Sequence, residues 1–134
     1  MNEINSGRFF TIGGFIDRDS DFNEQGIPDP FRCITREVFE ELHIVISPND
    51  CKCIGVVYDL KNLHPELCFL AHLSITACEL ANQLEASAEL EDAKFIPVQE
   101  LDQFIARESD AICEGLLGGF DLLRQLAGDY VSER

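Results

Sequence analysis

Residues 36–44 read Arg36-Glu37-Val38-Phe39-Glu40-Glu41-Leu42-His43-Ile44. On a helix, Glu37, Glu40 and Glu41 stand at i, i+3 and i+4, so the three carboxylates share one face. Like charges at that spacing destabilise a helix unless something positive sits among them. Hard Mg²⁺ is a common compensator, because it is bound through carboxylates and substrate phosphates. The stretch therefore reads as a metal site for phosphate chemistry, against the alternative of an exposed acidic face paired with Arg32 and Arg36. Upstream, Asp29-Pro30 is a good helix start, with Asp as cap and Pro at the first helical position. Ile34, Val38 and Leu42 recur every four residues and mark a buried stripe, with the glutamates largely on the other side.

Working outward, Phe9–Ile16 is an apolar segment interrupted by Gly13-Gly14, which predicts a strand, a tight turn and a second strand. Residues 17–28 are rich in Asp, Ser, Asn, Gly and Pro, and predict a loop. After the acidic helix, Ile44–Ile46 predicts a short strand and Ser47-Pro48-Asn49-Asp50 a turn. Cys53–Leu60 and Leu67–Thr76 predict two strands joined by a hairpin loop at Lys61-Asn62-Leu63-His64-Pro65. Lys94–Val98 predicts a strand, Gln99–Arg107 a short helix and Ser109–Gly128 a longer one. In the last, Ile112, Leu116, Leu117, Phe120, Leu123 and Leu126 form the apolar stripe, and Gly118-Gly119 suits close packing.

The 134 residues fit one domain, 1–134, with 1–7 as a polar flexible tail. A hydrophobic fraction of 46% is enough for a real core. The net charge of −15 argues against nucleic acid and against an anionic membrane surface, since both need a basic face. The six cysteines, with no secretory leader and no membrane-length apolar run, predict reduced thiols in a cytoplasmic protein. Cys51-Lys52-Cys53 is the one close pair, and it has no zinc-finger partner set. His43 reads as a helix-end residue near the C-terminal dipole. His64 reads as a loop residue and His72 as a core or edge histidine, while Phe9, Phe10 and Phe15 read as core.

The pattern Arg36-Glu37-Val38-x-Glu40-Glu41-x-x-Ile44 resembles the second half of the Nudix hydrolase box, with His43 where the family has Gly. Gly13-Gly14, after Arg8-Phe9-Phe10-Thr11-Ile12, resembles the family's strand and Gly-Gly turn. The run Glu89-Leu90-Glu91-Asp92-Ala93-Lys94-Phe95-Ile96-Pro97-Val98-Gln99-Glu100-Leu101 resembles the acidic segment, aromatic strand and turn that follow the box. The first half of the box is not intact. Family spacing puts its Glu at Pro28 and its Gly at Phe22, so 17–29 looks like an insertion and the partner of Arg36 is missing. Glu79–Leu90 has helix-favouring composition, whereas the family pattern makes much of it loop, and the segment stays open between the two.

The resemblance implies an α/β chain with the Nudix-like α/β/α sandwich and mixed sheet. Twelve residues precede Gly13, so the expectation is that an early strand is missing, that the chain is an excised or truncated product, or that a neighbouring subunit fills the gap. An uncovered central edge is an association hazard and points to a homodimer. The implied reaction is metal-dependent hydrolysis of a diphosphate linkage in a small nucleoside diphosphate derivative, nucleotide-sugar or ADP-ribose-like by default, with Mg²⁺ or Mn²⁺. By motif position, Glu40 and Glu41 are the principal metal ligands and the Gly13 carbonyl an additional one. Glu37 is a further ligand or the base acting on water, Arg36 orients the carboxylates, and Glu91 (or Glu89) is the distal carboxylate. The alternative is a Nudix-like domain that binds a nucleotide or a protein without efficient catalysis.

Overall fold

The structure, a computed structural model, describes residues 7–87 and 93–132, with side chains over 7–84 and 93–127. Of the expected features, the tail before Gly7 and the carboxylates Glu89 and Glu91 lie outside the described residues. The elements in chain order are α1 (Pro30–Leu42), β1 (Cys51–Asp59), β2 (His64–Ala71), α2 (Ala77–Ser87), α3 (Leu101–Glu108) and α4 (Glu114–Ser132). Short 3₁₀ turns occupy Pro48–Asp50, Val98–Glu100 and Ser109–Ala111.

The chain is thus mixed α and β, as expected, with β1 and β2 forming a two-stranded antiparallel sheet. The wider sheet is not formed among the described residues. Strands expected within 9–16, 44–46 and 94–98 run as irregular chain, except that Phe9 forms an isolated parallel bridge to Ile112. A strand needs a neighbouring backbone to satisfy its N–H and C=O groups. Phe9 finds one, donating to Ala111 O (2.7 Å) and accepting from Cys113 N (3.0 Å). The same bridge corrects the start of the long helix. Ile112 is extended and 2% exposed, so α4 begins at Glu114 and not at Ser109.

Contacts divide the chain into two compact units, each assembled from separated segments. One draws on Met1–Thr11, Cys53–Phe69 and Ile96–Arg134, the other on Ile12–Lys52 and Leu70–Phe95, in each case through their described residues. In the first unit Phe104, Ile112 and Cys113 are buried, and Phe9 meets Phe104 edge-on with ring centres 5.4 Å apart. Here α4 packs closely on one face of the hairpin through its small residues. A side chain at Gly118 would press on Val57 (2.6 Å from Cγ1), and one at Gly55 on Leu122. Gly119 sits at ordinary contact distance from Cys68 Sγ, 3.8 Å. Gly118-Gly119 is therefore a packing feature, as the sequence suggests.

In the second unit Cys33, Val38, Leu42, Ile46, Cys51, Leu80 and Leu84 are buried. Helix α1 starts as its sequence dictates: Pro30 is its first residue and Asp29 Oδ1 accepts from Phe31 N (3.0 Å) and Arg32 N (3.4 Å). Helix α2 resolves the open segment in favour of helix up to Ser87. Its start is a capping box, with Thr76 Oγ1 accepting from Glu79 N (3.2 Å) and Glu79 Oε2 from Thr76 N (2.9 Å). The expected turn at Ser47–Asp50 is likewise closed by a capping box.

His43 ends α1, as the sequence suggests; it adopts the left-handed conformation itself, with φ 55°, and its N–H reaches Phe39 O. Three single-residue expectations are corrected. Phe10 and Phe15 are 48% and 69% exposed, not core. His72 is exposed just beyond β2, its N–H bound to Asp50 O at 3.0 Å. No helix among the described residues is long and apolar enough to cross a membrane.

Candidate functional site

The acidic face of α1 carries Glu37, Glu40 and Glu41, but the three differ in environment. The Glu40 side chain is 54% exposed and that of Glu37 only 13%. Glu37 is covered because the chain at Gly14 runs directly against its carboxylate, leaving no room there for a side chain. The Gly13-Gly14 pair, which forms no turn here, and the acidic helix are thus neighbours in space. Gly14 is the member that needs to be small, while a side chain at Gly13 would meet open space.

Arg36 lies among these carboxylates. Its Nη1 is 2.7 Å from Glu37 Oε1 and 3.0 Å from Glu40 Oε2. The rest of the guanidinium is held by Asp21, with Nε donating to Oδ1 (3.1 Å) and Nη2 to Oδ2 (2.8 Å). Nη2 also reaches Phe15 O at 3.2 Å. Planar two-point pairing of this kind fixes orientation as well as charge. It raises the Arg36 pKa further, and it holds the Asp21 carboxyl below its usual range despite burial.

Asp21 is the residue that sequence reasoning missed. It is fully buried, although it sits in the segment 17–29 that reads as an insertion. The loop is folded around it: Asp21 Oδ2 accepts from Asp17 N (2.8 Å), and Asp21 N donates to Asp17 O (2.9 Å). Arg36 therefore has a buried carboxylate partner, supplied from that loop. The available signal was an Asp within a loop rich in Asx turns, too common to single out. Cys33, beside this pair, has its thiol pushed up to about 11, first by burial and then by the Asp21 charge.

Glu41 is different again. It is half-buried, and its side chain has no hydrogen bond or ion pair among the described residues. Its carboxyl is raised above the usual value, first by burial and then by the charges of Glu37 and Glu40. The carboxylate oxygens of the three glutamates do not converge. The described His, Cys, Asp and Glu side chains whose ligand atoms all come within 4.8 Å of one another are Asp59, His64 and Glu66, on the hairpin of the other unit.

The second unit also contains a cavity of about 350 Å³, lined by Ile44, Val45, Ile46, Asp50, His72, Leu73, Ser74 and Ile75. Tyr58 lies on the hairpin in the first unit, is 55% exposed, and donates its hydroxyl to Leu63 O at 3.3 Å. Comparison with known proteins returns no matching family model, no matching curated protein and no matching solved structure.

Proposed function

We propose that the acidic face of α1 binds Mg²⁺ or Mn²⁺, and that the protein is a Nudix-type hydrolase of a diphosphate linkage in a small nucleoside diphosphate derivative. The observation that carries this reading is Glu41. A half-buried carboxylate beside two like charges, with no cationic partner among the described residues, is relieved by a divalent cation. Glu37, Glu40 and Glu41 offer only oxygen, the donor type that a hard ion takes, and their carboxylates would have to turn toward one another to hold it. The Gly13 carbonyl, adjacent to the Gly14–Glu37 contact, is the additional ligand of the proposal.

When bound, such an ion supplies charge neutralisation at the phosphates and positions a water molecule. The chain's own residues do the rest. Arg36, anchored on Asp21, holds Glu37 and Glu40 in fixed directions, and Glu37 is a further ligand or the base that takes a proton from water. Glu91, the distal carboxylate of the proposal, lies outside the described residues. The Nudix-like α/β/α sandwich and the homodimer belong to this proposal as its finer fold and its assembly.

A second reading is favoured by one specific contact. Arg36 already bridges Glu37 and Glu40, and its one positive charge, shared with Asp21, partly offsets theirs without a metal. On that reading the face is a binding surface without efficient turnover.

The test is a panel of nucleotide-sugars, ADP-ribose and related diphosphates with Mg²⁺ or Mn²⁺, run beside Glu41→Gln. Metal-dependent release of a monophosphate product that is lost in the variant supports the hydrolase. Turnover unchanged in Glu41→Gln removes the site assignment, and tight nucleotide binding without turnover establishes the second reading.

A further inference from the structure

We propose that Asp59, His64 and Glu66 form a binding site for a divalent transition-metal ion of the Zn²⁺ type. The site lies on the hairpin and is independent of the reading of α1. Asp59 ends β1 and His64 opens β2, so the tight turn between them brings the two side by side. Successive side chains of a strand alternate between faces, which returns Glu66 to the face of His64. One ligand atom from each of the three lies within 4.8 Å of the other two, a spacing a single ion can span.

Each donor is oriented before any ion arrives. Asp59 is 5% exposed; its Oδ1 accepts from Lys61 N (2.8 Å) and Asn62 N (2.9 Å), and its Oδ2 from Asn62 Nδ2 (2.7 Å). The backbone at Gly115, in the first turn of α4, runs against the Glu66 carboxylate where any side chain would overlap it.

The His64 ring supplies the nitrogen donor. Its Nδ1 lies 3.4 Å from Asn62 O, and its Nε2 lies 3.1 Å from Glu66 Oε1. In the tautomer with its proton on Nδ1, the arrangement common among metal-bound histidines, that proton faces the Asn62 carbonyl and Nε2 is the atom that ligates beside Glu66. The donor chemistry chooses the metal class. One imidazole with two carboxylates suits Zn²⁺ and its first-row neighbours better than Mg²⁺, and three protein ligands leave a position open for water or a small anion.

The probe is Co²⁺ added to the metal-stripped full-length chain, followed by visible absorption and by competition with Zn²⁺. The six free cysteines make this choice useful, because thiolate ligation adds an intense near-ultraviolet band that a nitrogen–oxygen site lacks. The expected result is a weak visible cobalt spectrum without the thiolate band, displaced by Zn²⁺. His64→Gln and Glu66→Gln, each checked for unchanged circular dichroism, are expected to weaken binding by at least about tenfold. Glu41→Gln, which disables the α1 face, is expected to leave this spectrum in place, so failure here and failure of the hydrolase reading are separable. A thiolate-dominated spectrum, no cobalt uptake at millimolar concentration, or wild-type affinity in both hairpin variants overturns the proposal.

Discussion

Arg36 grips the fully buried carboxylate of Asp21 at two points, 2.8 and 3.1 Å, while its remaining nitrogen faces Glu37 and Glu40. One guanidinium therefore ties a loop to a helix and sets the direction of two of the three acidic side chains.

Asp21→Asn is expected to destabilise the protein by about 3 kcal/mol, the usual cost of breaking one side of a buried ion pair. The pH dependence follows from the lowered pKa of Asp21, whose first cause is the hydrogen bond from Arg36. A carboxyl held lower in the folded state contributes stability above its unfolded value. That contribution is lost as pH falls through the folded value. Urea unfolding from neutral pH into the acid range should show a decline below about pH 4 that is shallower in Asp21→Asn.

Glu41→Gln should have the opposite sign without divalent ions. Burial, then Glu37 and Glu40, raise the Glu41 carboxyl, so its ionisation costs stability once pH passes the unfolded value, and the cost is complete above the folded one. Removing the charge should stabilise the chain at neutral pH by about 0.5 kcal/mol at low salt, the scale of a like-charge helix pair. Thermal melts with and without Mg²⁺ should show the variant higher in chelator and less responsive to the ion. A lower melting temperature in chelator would count against this picture of the helix face.

Adjacent glycines in α4 should respond in opposite directions to alanine. At 119 the new methyl has Cys68 Sγ at 3.8 Å, and the helix gains about 0.5–1 kcal/mol in intrinsic preference. At 118 the methyl meets both Val57 methyls at 2.6 and 2.7 Å, which outweighs that gain and leaves a net loss of about 1 kcal/mol. Chemical denaturation of the two single variants decides the matter, and equal shifts would mean that α4 does not press on the hairpin at 118.

His43→Gly should stabilise by roughly 0.5–1 kcal/mol, because a non-glycine residue in the left-handed region costs about 1–2 kcal/mol. Part of that gain is offset by the lost edge contact between His43 and Phe39, with ring centres 6.4 Å apart. His43→Val should lower the melting temperature, as a β-branched side chain suits that backbone least.

Helix α1 was legible in the sequence because its start and its buried stripe are local signals, readable from Asp29-Pro30 and from Val38 and Leu42. The hairpin was legible for the same reason. Asp21 was not, since its importance comes from a partner on another element, and family spacing pointed to Phe22 and Pro28. The predicted strands around Phe9, Ile44 and Phe95 failed because β-propensity supplies no edge to pair with, and at Phe9 the pairing stops at an isolated bridge. Asp59, His64 and Glu66 were individually visible, yet His64 read as loop. The register that brings the three together appears only once the turn ends at Leu63, itself left-handed with φ 57°.

The bridge between Phe9 and Ile112 also orders events during synthesis. Phe9 leaves the ribosome about a hundred residues before its backbone partners at Ala111 and Cys113. At roughly 5–20 residues per second the early segment must wait several seconds for them. Closing so distant a contact also carries the loop entropy that slows folding. The unit containing α4 is therefore completed late, by capture of a waiting N-terminal segment.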